Sequence, residues 1–290
     1  MLAPFFKRSR PRRAALGDHP TSDANNDERT PITTTSTRLS PGQALAVTRE
    51  KRLWNRRAES WDKEGSAGLT KVVEAVLAHC RKQPGAVAID LGCGSGQVAI
   101  PLARSCARVL AVDVSAAATG ILEAKIRGDG VENIQVLTHP IETLDLEPAS
   151  VDLVVSNYAL HHLRDVDKEE LLAKIFRWLR PGGRLVIGDM MFGRGADPGD
   201  RAIFASKVRG LAKLGPGGWW RLVKNAWRFV FRLWEKPLPV AAWESIVSHA
   251  GFQEVHTARV IAEACVLSAA KPVTDMAAAQ QPAKEACLQD

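Results

Sequence analysis

Short apolar runs alternate with helix-like patterns along the middle of the chain. The runs have the length of buried strands, and the segments between them repeat apolar residues at helical spacing, which is typical of amphipathic helices. Strands are predicted at residues 87–91, 109–112, 134–138, 151–156 and 184–189, and the helices between them at 97–107, 115–127 and 171–179. Strands that alternate with helices predict an α/β fold built on a parallel sheet.

Further elements are predicted on both sides of this region. Ser40, Pro41 and Gln43 have the residue types of a capping box with proline at the first helical position, so a helix is predicted to begin there and to run through Asp62. The other predicted elements are helices at residues 70–80 and 240–249 and a C-terminal antiparallel hairpin formed by residues 252–260 and 262–270.

A glycine-rich turn joins the strand at 87–91 to the helix after it. Gly92, Gly94 and Gly96 can adopt positive φ and let the backbone approach a ligand at the start of that helix. Asp113 ends the next strand, where a carboxylate would face a ribose diol. A dinucleotide fingerprint has its third glycine three residues after the second, and this chain has Gln97 there, which disfavours NAD.

The run Asp90-Leu91-Gly92-Cys93-Gly94-Ser95-Gly96 resembles motif I of class I S-adenosylmethionine-dependent methyltransferases. Further matches are an aspartate entering the strand at 151–156, the Leu-His-His sequence after it, and an Arg-Pro-Gly-Gly turn at 180–183. The resemblance extends from about Trp54 to Ala270 and is strongest to the small-molecule branch, methyltransferase type 11 or quinone-biosynthesis-like. It implies a Rossmann-like, seven-stranded, mostly parallel sheet with helices on both faces and a C-terminal antiparallel hairpin.

The resemblance also implies S-adenosyl-L-methionine as cofactor and assigns its contacts. Asp90 and the glycine loop would hold its amino-acid end, Asp113 its ribose, Val114 and Ile141 its adenine, and Asn157 would border the methyl group. The family usually has an acid where this chain has Pro140, so His139 or Glu142 is expected to take that role. The full predicted set is Asp90, Gly92, Cys93, Gly94, Ser95, Gly96, Asp113, Val114, Pro140, Ile141 and Asn157.

Three side chains are candidates for a general base. His161 and His162 follow the strand at 151–156, and histidine titrates near neutrality. Only one of two adjacent residues on a helix can face a pocket, and packing is the alternative role for both. Asp189, at the end of the strand at 184–189, is predicted to face the pocket and is the third candidate.

The motifs that other methyltransferase classes need are missing. The segment Ser156-Asn157-Tyr158-Ala159 lacks the prolines of a base-stacking clamp, no paired glutamates suit arginine methylation, and no metal-binding acids are recognised. The favoured acceptor is therefore small and lipophilic, of natural-product or quinone type, with no metal and no nucleic acid. Two alternative functions remain: an RNA or protein methyltransferase, and a non-catalytic S-adenosylmethionine-binding scaffold. The sequence does not determine the oligomeric state.

Composition divides the 290 residues, whose net charge is +7, into a domain and two tails. Residues 1–39 and 271–290 have too few periodic apolar residues to offset their ordering entropy, which predicts disordered tails around a domain at 40–270. The apolar start precedes a basic cluster, the reverse of a secretory signal, and no run suits a membrane span. A cytoplasmic location is expected. Five cysteines without a Cys-x-x-Cys pair disfavour disulfides and zinc.

Residues 193–238 are predicted to form a helical lid inserted into the domain. In Trp219–Trp234 apolar residues occupy one side of a helical wheel and basic residues the other. Two interpretations stay open: peripheral contact with an anionic membrane surface, or a cover that packs on the domain with its arginines in solvent.

Overall fold

The computed structural model describes residues 31–63, 67–80, 84–193, 201, 205 and 236–273. Every described residue belongs to one compact unit, Pro31–Asp290. The helix predicted at Trp219–Trp234 lies outside the described residues, as does nearly all of the predicted C-terminal tail. None of the helices in the described ranges combines the length and apolar character needed to cross a bilayer.

The described elements alternate as the apolar pattern predicts. In chain order they are β1 (Thr34–Ser36), α1 (Pro41–Lys63), α2 (Ala67–His79), β2 (Val87–Leu91), α3 (Ala99–Ala103), β3 (Arg108–Asp113), α4 (Ala116–Gly128), β4 (Ile134–Thr138), β5 (Leu144–Leu146), β6 (Val151–Asn157), α5 (Asp165–Trp178), β7 (Leu179–Met190), α6 (Val240–His249), β8 (Gln253–Arg259) and β9 (Ala264–Ala270). A 3-10 turn at Leu160–His162 lies between β6 and α5.

The main sheet has seven strands in the order β4-β3-β2-β6-β7-β9-β8. The first five run parallel, and β9 pairs antiparallel with both β7 and β8. This confirms the predicted Rossmann-like fold with its C-terminal hairpin. The chain proceeds outward from β2 to β4 and then returns to place β6 on the other side of β2, so the crevice at the carboxyl end of β2 lies at the topological switch point.

Each face of the sheet is covered by apolar side chains from helices. Ile89 and Leu91 of β2 belong to the core that contains Trp178 of α5 and Trp243 of α6. Ala88 belongs to the core formed with α2, α3 and α4. Because β2 is buried on both faces, its residues do not alternate between apolar and polar, and four of the five are apolar.

Asp152 and Arg180, two polar residues of the family signatures, connect strands at the end of the sheet where the parallel strands begin. Asp152 Oδ2 accepts hydrogen bonds from the Val87 backbone N–H at 2.8 Å and from Arg180 Nη1 at 2.5 Å. The predicted turn at 180–183 is part of β7, and Gly182 has a φ of +77° there. These residues therefore stabilise the start of the parallel sheet, far from the carboxyl ends of its strands.

The predicted N-terminal tail ends earlier than residue 39, and that boundary is wrong. Residues 34–36 form β1, which pairs antiparallel with β5. Ile32 is buried in the core, and its backbone N–H and C=O bond to the side chain of Gln135. Strands of three residues leave no periodic pattern in a sequence, so this small sheet depends on tertiary contacts alone.

Two predicted helices differ in length from those observed. The helix predicted at 97–107 is confined to Ala99–Ala103, because Asn133 Nδ2 donates to the carbonyls of Ala103 and Cys106 at 2.8 and 3.1 Å and ends it. The helix predicted at 171–179 begins six residues earlier, at Asp165. Asp165 and Asp167 in its first turn favour a helix N-terminus.

Candidate active site

A cleft opens at the carboxyl ends of β2, β3 and β6, and α1 lies along it. Val47, Glu50, Trp54 and Ala58 of α1 line the cleft at helical spacing. Ser40 and Gln43 hold the start of α1 by the reciprocal bonds of the predicted capping box. Asn55 Oδ1 accepts hydrogen bonds from Ser115 Oγ at 2.8 Å and from the Ala117 N–H at 3.3 Å, which fixes α1 to the start of α4.

The three loop glycines all have positive φ, but for different physical reasons. A Cβ on Gly92 would lie 2.2 Å from the Ala159 Cβ, and one on Gly96 would lie 2.4 Å from Leu122 Cδ1. Gly92 and Gly96 thus allow close packing, whereas Gly94, with a φ of +52°, has open space where its Cβ would be. Gly92 and Gly94 line the cleft together with Cys93 and Ser95. Gly96 does not line it.

Cys93 packs against the core inside the glycine loop. Its side chain is buried, and desolvation raises the pKa of its thiol well above the usual range, helped by the negative charges of Asp90 and Asp113. A thiol that stays protonated is a poor nucleophile.

Asp90 places an unsatisfied carboxylate at the inner end of the cleft. The residue is 1% exposed, and neither oxygen has a hydrogen-bond partner among the described residues. Burial and, to a smaller extent, the charge of Asp113 raise the pKa of Asp90 to about 7, against a lowering effect of the nearby Ala99 amide. A buried carboxylate without donors is costly, so this position suits a ligand that brings a positive charge.

Asp113 supports the same loop from β3. Its Oδ2 accepts a hydrogen bond from the Gly94 N–H at 2.9 Å, and its Oδ1 accepts one from the Ser115 N–H at 2.8 Å. Burial raises the pKa of Asp113. The carboxylate lines the cleft between the glycine loop and Val114, where its remaining lone pairs can accept from ligand hydroxyls.

The segment after β4 contributes Ile141 and Glu142 to the cleft. Pro140 does not line it, and His139 Nε2 lies 3.0 Å from Thr143 Oγ1. Of the two residues considered as substitutes for the missing family acid, Glu142 is therefore the one that the structure brings to the cleft. Burial raises the pKa of Glu142.

Asn157 ends β6 at the cleft and carries a buried side-chain oxygen. Asn157 Oδ1 has no hydrogen-bond partner among the described residues. Tyr158, the next residue, also lines the cleft, and its φ of +52° is unusual for a bulky side chain. No pattern in the sequence indicates Tyr158, because backbone strain of this kind is visible only in the folded chain.

The candidate bases divide into one cleft residue and one buried pair. His162 lines the cleft, and His161 does not. The Asp189 carboxylate accepts hydrogen bonds from His161 Nδ1 at 2.5 Å and from the backbone N–H groups of His161 and Met190. Asp189 is 1% exposed and does not face the pocket, so that prediction is wrong. Its physical role is to satisfy buried donors behind the cleft wall.

Residues on α1 and on the segment before α6 surround His162. Glu50 Oε2 lies 3.7 Å from His162 Nδ1, and the Trp54 ring meets the His162 ring edge-on with 5.4 Å between centroids. Lys236 Nζ donates to the His162 carbonyl at 3.0 Å. Sequence reasoning missed Glu50, although it lies one helical turn before Trp54 and so on the same face of a predicted helix.

Comparison with known proteins agrees with this geometry. Residues 88–183 match a family model described as a methyltransferase domain. Phosphoethanolamine N-methyltransferase 1 of Triticum aestivum is 31% identical over 153 residues, 52% of this chain and 29% of the relative. An uncharacterized methyltransferase of Geobacillus kaustophilus is 28% identical over 164 residues, 56% of this chain and 72% of the relative.

Among solved structures, the 1,6-didemethyltoxoflavin-N1-methyltransferase of Burkholderia thailandensis shares the fold. The TM-score is 0.57 at 20% identity, over 83% of this chain and 95% of that one. The matched segment spans less than a third of the wheat protein's length. The fold, the glycine loop and these matches support a class I S-adenosylmethionine-dependent methyltransferase domain around residues 88–183. S-Adenosylmethionine is the cofactor of this class.

Proposed function

We propose that this chain transfers a methyl group from S-adenosylmethionine to a small, lipophilic acceptor. The observation that carries the proposal is the buried carboxylate of Asp90, which has no donor among the described residues at the inner end of the cleft. An ammonium group supplies the donors and the positive charge that this carboxylate requires. Gly94, where a side chain would project into open space, lets the backbone approach the same ligand.

The other cleft residues suit the remaining parts of the cofactor. The Asp113 carboxylate is placed to accept hydrogen bonds from the ribose hydroxyls, and Glu142 to accept one from the adenine amino group. Val114 and Ile141 line the cleft and would offer apolar contacts to the adenine ring, and Asn157 Oδ1 would border the methyl group. Bound there, S-adenosylmethionine supplies an activated methyl group for in-line displacement.

The acceptor side of the cleft is largely apolar. Val47, Trp54, Leu69, Tyr158 and Leu163 line it. Such a surface favours a lipophilic acceptor and excludes water, and the protein's main contribution is to hold the reacting atoms about 3–3.5 Å apart in line.

His162 is the residue that takes the acceptor's proton. S-Adenosylmethionine would supply the methyl group and keep the electron pair of the broken carbon–sulfur bond. The acceptor atom would supply the pair for the new bond, and its proton would pass to the imidazole of His162. His162 is the histidine at the cleft, whereas the ring of His161 is bonded to Asp189.

Binding tests the cofactor assignment. We expect calorimetry to show binding of S-adenosylmethionine and not of NAD, with Asp113→Ala weakening it by about 1–3 kcal/mol because ribose hydroxyls lose their acceptor. Asp113→Asn, which keeps one acceptor oxygen for the loop, should lose less. Tight NAD binding, or unchanged affinity in Asp113→Ala, would contradict the assignment. Mass analysis of lipid and polar extracts incubated with labelled methyl donor then identifies the acceptor.

The two histidines provide a matched pair of variants. His162→Gln should lower turnover of the identified acceptor by roughly 10²- to 10⁴-fold without changing affinity for S-adenosylmethionine. His161→Gln should act mainly on stability, because it disturbs a buried hydrogen bond. Near-normal turnover in His162→Gln would show that this residue is only part of the cleft wall.

A further inference from the structure

Glu50 is held beside His162 by contacts within α1. Its Oε2 lies 3.7 Å from His162 Nδ1 and accepts a hydrogen bond at 3.2 Å from Trp54 Nε1, one helical turn away. The side chains of His162 and Glu50 are only 12% and 17% exposed. A carboxylate fixed by a neighbouring donor and shielded from solvent interacts with an imidazole more strongly than an exposed one does.

Several charged groups share this environment. Lys236 and His161 act on Glu50 with positive charge, Glu142 acts with negative charge, and Asp189 lies beyond His161. Burial raises the pKa of Glu50, and Lys236 and the Trp54 hydrogen bond lower it. With the carboxylate ionised, the positive form of His162 is the one that Glu50 stabilises.

We propose that Glu50 is a positioning residue for His162, so that α1 completes the proton-accepting site as well as covering the cleft. A carboxylate at Nδ1 selects the tautomer in which Nδ1 carries the proton and Nε2 can accept one. It also stabilises the imidazolium once the acceptor's proton has been taken. Ion-pair distances of this kind commonly shorten when a substrate binds. The inference rests on the proposed function of His162.

The first test needs no acceptor. Glu50→Gln removes the charge and keeps an oxygen for the Trp54 N–H, and histidine NMR follows the His162 ring, assigned by its loss in His162→Gln. We expect the midpoint of its titration to move to lower pH in Glu50→Gln. Glu59→Gln removes the same charge from an exposed site on α1 and should leave the midpoint in place. An unmoved midpoint in Glu50→Gln, or an equal shift in Glu59→Gln, would overturn the proposal.

The second test uses the extract fraction that accepts labelled methyl groups. Glu50→Gln should lower turnover by at least about 10-fold, part of the contribution of a positioned base, and move the acidic limb of its pH profile to lower pH. Affinity for S-adenosylmethionine should not change, and Glu50→Gln/His162→Gln should be no slower than His162→Gln alone. If the double variant is slower than His162→Gln by the same factor that Glu50→Gln alone costs, the inference about Glu50 is overturned. Normal turnover in His162→Gln instead contradicts the role of His162, and absent cofactor binding contradicts the function as a whole.

Discussion

Asp90→Asn is expected to make the stability of the unliganded protein less dependent on pH and to weaken S-adenosylmethionine binding. The Asp90 carboxyl has an ordinary pKa of 3.8 and a pKa of about 7 in the native protein. The native state therefore holds the proton more tightly than the unfolded chain between these values. The resulting stabilisation is complete below pH 4 and is lost as the pH rises through 7.

The size of this effect follows from the two pKa values. A difference of about three pH units corresponds to at most about 4 kcal/mol of unfolding free energy, lost by the wild type and retained by Asp90→Asn. Urea unfolding at pH 5 and pH 8 spans about two of these units, so the stability difference between variant and wild type should become more positive by at most about 3 kcal/mol. Binding should weaken by about 1.5–3 kcal/mol, because an ammonium loses a charged partner.

Asp129→Asn is the matched control for Asp90→Asn. Asp129 is an exposed aspartate at the C-terminal cap of α4, and its replacement should leave both the pH dependence and the binding unchanged. If the unfolding free energy of Asp90→Asn has the same pH dependence as that of the wild type, the burial of Asp90 is not the cause of that dependence. Undiminished affinity would show that it does not hold the cofactor.

Parallel strands made most of the fold predictable. A strand buried on both faces is mostly apolar, so β2 and β6 stand out as short runs. The edge strand β4 is only partly buried, yet Ile134–Thr138 has the predicted limits. β1 was not predictable from the sequence, because its three residues Thr34–Ser36 are polar and partly exposed. Its pairing with β5 joins residues more than a hundred positions apart, which no local pattern records.

The part of the candidate site that depends on the backbone topology was predictable from the sequence. The glycine loop and Asp113 lie at the ends of neighbouring parallel strands, so their proximity follows from the topology. The topology does not determine which of two adjacent side chains faces the cleft. His161 and His162 differ by one step in a 3-10 turn, and only tertiary packing turns one toward the cleft and the other toward Asp189. The contribution of α1 likewise depends on how that helix is fixed through Asn55.

Asp189→Ala is expected to lower the free energy of unfolding by about 3–5 kcal/mol while leaving S-adenosylmethionine affinity unchanged in the folded protein. The substitution leaves the His161 ring N–H and the backbone N–H groups of His161 and Met190 without their acceptor, in a region that is almost fully buried. The affinity for S-adenosylmethionine should not change, because Asp189 does not line the cleft.

A second variant covers the case in which Asp189→Ala does not fold. Asp189→Asn keeps the shape and one acceptor oxygen, so its loss of stability should be smaller but still measurable by urea unfolding, with Asp129→Ala as an exposed control. The loss should shrink further when His161 is replaced by Gln, since the two groups act as a pair. If Asp189→Asn matches the wild type in stability but loses turnover with normal cofactor affinity, Asp189 participates in the reaction and its structural role is refuted.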